Sequence, residues 1–106
     1  MPKYLIQASY NADGVHGLLN NGGSSRRDAV DQAVRGLGGS LESFYFAFGE
    51  HDVYAIVDLP DNEAATAVAL SVNGAGSVTA KTAVLLTPEQ VDEATKRSVD
   101  YRPPGS

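Results

Sequence analysis

The chain has 106 residues and no cysteine. Such a length suits one domain with a core of its own, and the missing thiols exclude a disulfide scaffold, a thiolate metal site and thiol catalysis. Thirteen acidic against eight basic residues leave a net charge of −5, which argues against a nucleic-acid or anionic-membrane surface.

The N-terminal run Tyr4-Leu5-Ile6 is too short for the apolar core of a signal peptide, and no later run approaches a membrane span. The expectation is a cytoplasmic protein. Residues 4–10 read as a strand with Tyr4, Ile6, Ala8 and Tyr10 on one face. Asn11-Ala12-Asp13-Gly14 reads as a turn, residues 15–19 as one or two helical turns, and Asn20-Asn21-Gly22-Gly23 as a break. A longer helix is expected over residues 25–37, because Val30, Ala33, Val34 and Leu37 fall at i, i+3, i+4 and i+7. Ser25-Arg26-Arg27-Asp28 fits its cap and Gly38-Gly39 its stop.

Two strands follow, over residues 41–48 and 53–59, and the four residues between them fit an antiparallel hairpin. Pro60-Asp61-Asn62-Glu63 opens an alanine-rich helix in which Val68 and Val72 should point inward, ending at Asn73-Gly74. Residues 77–86 read as a fourth strand. Thr87-Pro88-Glu89-Gln90 combines an N-cap threonine, proline at the first helical position and a capping glutamine, which predicts a helix to about residue 99. Residues 101–106 form an extended tail.

The order strand, helix, strand, strand, helix, strand, with a further helix, is the split βαβ pattern of ferredoxin-like folds. It predicts an α+β, ferredoxin-like βαββαβ domain spanning residues 1–106, with a tail from about residue 100. The four-stranded antiparallel sheet should carry helices on one face. Between Phe44 and Leu59, however, both alternating faces are rich in apolar and aromatic residues, where a sheet with one wet face would alternate with polar ones. Cover on the second face is expected from another copy of the chain, as a homo-oligomer.

Gly49-Glu50-His51-Asp52-Val53 after an aromatic strand resembles the Gly-x-Tyr-Asp signature of the GYD domain family. Pro2-Lys3-Tyr4-Leu5-Ile6, Arg26-Arg27, Asp58-Leu59-Pro60-Asp61 and Tyr101-Arg102-Pro103-Pro104-Gly105 resemble it too, so the likeness covers nearly the whole chain. One departure is that His51 stands where the signature has tyrosine, which puts any role for a phenol there in question. The resemblance implies a small ferredoxin-like protein of the dimeric α/β-barrel kind and leaves activity open.

The candidate functional residues fall in two places. Gly49-Glu50-His51-Asp52 offers an imidazole that titrates near neutral pH, with Asp52 able to orient the ring. In the simpler reading Gly49 supplies a permissive turn and Asp52 hydrogen-bonds the backbone. Ser25, Arg26 and Arg27 at a helix start can hold a phosphate or carboxylate, although Asp28 can satisfy the same helix end and the phosphate-loop motif is missing. His16 and His51, with Glu50 and Asp52, are the weak metal candidates, without diagnostic ligand spacing. The tyrosines at 4, 10, 45 and 54 read as amphipathic packing residues, and Lys81 as a snorkelling or paired side chain.

No cofactor is called for. The reading preferred on these grounds is a homo-oligomeric module that binds a small polar or anionic ligand or a partner, with Ser25, Arg26, Arg27, His51 and Asp52 as ligand contacts. One alternative is a cofactor-independent monooxygenase or isomerase acting on a small organic molecule, for which His51, Tyr10 and Arg26 are the available groups. The other is a metal-binding assembly protein.

Overall fold

Alternation of apolar and polar residues in Lys3–Tyr10 makes this segment strand β1, which sits inside a four-stranded sheet. The computed structural model describes residues 1–105. After β1 come Ala12–Asn21 (α1), Gly23–Gly36 (α2), Ser40–Phe46 (β2), Val53–Asp58 (β3), Asn62–Gly74 (α3), Val78–Leu85 (β4) and Pro88–Thr95 (α4). The strands lie in the order β2-β3-β1-β4, and every neighbouring pair is antiparallel. This is the expected α+β, ferredoxin-like βαββαβ architecture with a C-terminal helix.

The turn expected at Asn11 is instead the start of a full helix. Asn11 is the N-cap of α1, its side chain accepting from the Gly14 amide, so Ala12, Asp13 and Gly14 are its first turn. The same short polar side chains that favour turns also satisfy the free amides of a helix start. Gly22, at φ 80°, separates α1 from α2. That left-handed conformation suits glycine, and α2 begins at Gly23 with no side-chain cap in place of the one expected at Ser25. At the far end β2 stops at Phe46, two residues early, the Ala47 amide donating to the Asp52 carbonyl, and Phe48 is 90% exposed.

The inward residues of β1 and β3 form the core in two clusters. Tyr4, Val34, Val57, Leu59 and Ala65 pack at one end, where the buried Tyr4 hydroxyl donates to Asn62 Oδ1 at 2.6 Å. Ala8, Val53, Ala55 and Ala80 pack at the other. Helix α2 lies over β2 and α3 over β4, which places the middle of the sheet between them. Every residue from Leu86 to Gly105 is exposed. The resulting radius of gyration, 16.8 Å, exceeds the roughly 13 Å of a compact chain of about 100 residues, because α4 and its tail project as an arm. No helix among the described residues is long and apolar enough to cross a membrane.

Candidate functional site

Between α2 and α3 the sheet carries an apolar slot of about 70 Å³. Ile6, Ala8, Val53, Ala55 and Ala80 make its floor, Val30 and Ala33 line it from α2, and Val68, Ala69 and Val72 line it from α3. Alanines are the reason the space exists. Ala8 pairs directly with Ala80 and with Val53 across neighbouring strands, and Ala33 and Ala69 continue the short side chains onto both helices. Larger residues at these positions would close the gap, as native cores ordinarily do.

Polar groups stand at one end of the slot. Tyr10 and Arg26, both half-buried, line it and also line an adjoining vestibule of about 250 Å³ bordered by Asp13, Asn21 and Ser77. The approach of α1 to this end depends on Gly14. A Cβ there would collide with the Ser77 carbonyl and stand 3.0 Å from Cδ1 of the Tyr10 ring. Gly23 has the same role at the start of α2, where a Cβ would lie 2.8 Å from Cε2 of Phe46. Phe46 and Phe44 pack edge to face at 5.3 Å, and Phe44 closes the slot beside α2.

The residues singled out by sequence are divided by the sheet. Arg26 enters the slot, whereas Ser25 and Arg27 are exposed, Arg27 leaning on Asp28 at 3.4 Å. His51 lies on the opposite face. Its Nδ1 is 3.4 Å from Ser9 Oγ, and its ring meets Tyr54 edge on at 5.8 Å. Ser9 and Tyr54 alternate with the inward Ala8, Tyr10, Val53 and Ala55, so the full thickness of the sheet separates His51 from Tyr10 and Arg26. A pocket combining His51, Tyr10 and Arg26 is therefore not assembled within one chain. Asp52 does not orient the imidazole. Its carboxylate accepts from the Tyr10 amide at 2.8 Å, and its own amide donates to the Ala8 carbonyl, so it ties the loop to β1. His16 is exposed on α1, and no group of three or more His, Asp or Glu side chains that could hold a metal forms among the described residues.

The face that carries His51 is otherwise uncovered within the chain. Its central row joins Leu5 to Ile56 on one side and to Ala83 on the other, with Tyr54 paired to Tyr45 in the next row. Tyr45 is 70% exposed, and Lys81 is exposed at the border of this face. At the other border Lys3 Nζ bridges Glu42 at 2.7 Å and Asp58 at 3.0 Å. The hydrogen bonds that the ammonium donates to Glu42 and to Asp58 hold its pKa above the ordinary value of 10.5.

The alanine positions that open the slot were read from sequence as packing residues and not as site residues. The available signal was a run of small inward residues on three adjacent strands, facing an alanine-rich helix. No curated protein and no solved structure matches the chain at a significant level. The family model described as the GYD domain matches residues 4–95, which includes the strands, the slot and the Gly49-Glu50-His51-Asp52 loop, and the chain belongs to the GYD domain family.

Proposed function

We propose that the protein is a homo-oligomeric module that binds a small ligand in the slot between α2 and α3. The slot carries this reading. A concave, apolar space with a few polar groups gathered at one end is the usual form of a small-molecule site, and an ordinary core leaves no such space. A volume near 70 Å³ exceeds by several-fold the roughly 10–15 Å³ needed for one water and is about half of a cavity that takes benzene, so it suits a short alkyl chain. The oligomer clause draws support from the row Leu5, Ile56 and Ala83, and from the exposed arm with Leu86, Val91, Val99 and Tyr101. A second copy facing the sheet would shield both.

The reading is tested with methyl-labelled protein titrated with short-chain alcohols, carboxylates and amines and followed by NMR. Shifts should concentrate on Ala33, Val68, Ala69 and Val72. Ala69→Leu, which extends a side chain into the space, should lower affinity about tenfold or more while the remaining spectrum stays dispersed. Absence of any saturable shift, or binding that Ala69→Leu leaves unchanged, overturns the reading.

A further inference from the structure

The geometry points to a small amphipathic monoanion as the ligand, its apolar end in the slot and its single negative charge against Arg26. This rests on the slot being a ligand site and goes further by assigning the class of molecule.

The first argument is where Arg26 lies. Lys3 and Arg35 hold carboxylates at 2.7–3.0 Å, and Arg27 touches Asp28 at 3.4 Å. Arg26 is half-buried and, among the described residues, has neither ion-pair nor hydrogen-bond partner. Drawing a cation partly out of water without a partner costs free energy, and an anion supplied from outside offsets that cost. The guanidinium also offers paired N–H donors in the planar arrangement that a carboxylate accepts.

The second argument is the change in character along the site. Arg26 and Tyr10 line both the slot and the vestibule, so they stand where apolar walls give way to polar ones. The Tyr10 hydroxyl has no partner among the described residues, while its backbone amide is already taken by Asp52. A head group at that junction meets the guanidinium and the phenolic donor together, and its alkyl portion lies along Ala33, Ala69 and Val72.

The third argument sets the charge. Asp13 borders the vestibule, and the chain as a whole carries −5. One guanidinium balances a single negative charge, and repulsion from Asp13, which grows with the charge of the ligand, weighs more heavily against a dianion. A monocarboxylate fits this balance better than a phosphate ester or a nucleotide.

The test compares hexanoate, 1-hexanol and hexylamine, which share the chain and differ in the head group, by NMR titration at neutral pH. Hexanoate should bind about tenfold more tightly than hexanol, the worth of one charge-assisted hydrogen bond, and hexylamine more weakly than either. Arg26→Met should abolish the preference for hexanoate over hexanol, and Arg26→Lys should retain part of it. Circular dichroism and spectral dispersion establish that each variant is folded. Equal or tighter binding of hexanol by the unmodified protein overturns the proposal and leaves the slot as a neutral-ligand site. A preference that survives Arg26→Met also overturns it. Failure of all three probes to bind removes the slot reading as well.

Discussion

Asp52 shows how one side chain can look catalytic in sequence and serve the fold in space. Beside a histidine it suggests a carboxylate orienting an imidazole, yet its Oδ2 accepts from the Tyr10 amide at 2.8 Å. That bond fixes the end of β1, and with it the Tyr10 ring at the polar end of the slot. Removing the acceptor leaves a half-buried amide unpaired, so Asp52→Ala should destabilise the protein by about 1–3 kcal/mol, measured by urea unfolding. Asp52→Asn keeps an acceptor oxygen and should recover most of the loss. If the alanine variant unfolds at the same urea concentration as the parent, the bond is not structural. The local role of Asp52 was legible, because turns select such residues for backbone hydrogen bonding. The separation of His51 from Tyr10 was not. Strand parity puts Tyr10 on the inner face, but His51 follows a loop, where parity no longer decides the side.

At the level of elements, most of the chain follows from local rules. The strands follow alternation, α3 starts at the cap Asp61, and α4 starts at Thr87 with both hydrogen bonds of the capping box formed. Where two local rules compete, sequence decides less: Asn11 satisfies both turn and cap preferences, and α1 wins. The slot was beyond local rules altogether, since it depends on how far apart α2 and α3 stand over β1 and β3. Helix α4 gives this distinction a measurable form. It is capped but exposed along its whole length, so its formation rests on the cap and its neighbours in sequence. Thr87→Ala should weaken it by about 1 kcal/mol. In protein held monomeric by dilution, amide exchange should quicken in residues 89–95 while the sheet's melting temperature stays unchanged. A matching drop in sheet stability would mean that α4 packs on its own chain.

For the whole molecule, one side of the sheet is closed by helices and the other is left apolar at its centre. If a second copy covers that side, Ile56→Glu should bury an unpaired charge in the contact, which typically costs several kcal/mol, and shift the protein to monomers in sedimentation or light scattering. Removal of residues 87–106 should weaken association without abolishing the fold, because residues 87–105 contribute nothing to either core cluster. Monomers from the unmodified chain at high concentration would overturn the oligomer clause.

Because the sheet lies between them, the uncovered face proposed for self-contact and the slot proposed for a ligand face in opposite directions. On the proposed reading, each added subunit would then contribute an independent cleft on the outside of the assembly, neither sealed nor completed by its neighbour. Occupancy would scale as one molecule per chain, and filling one cleft would leave the affinity of the others unaltered.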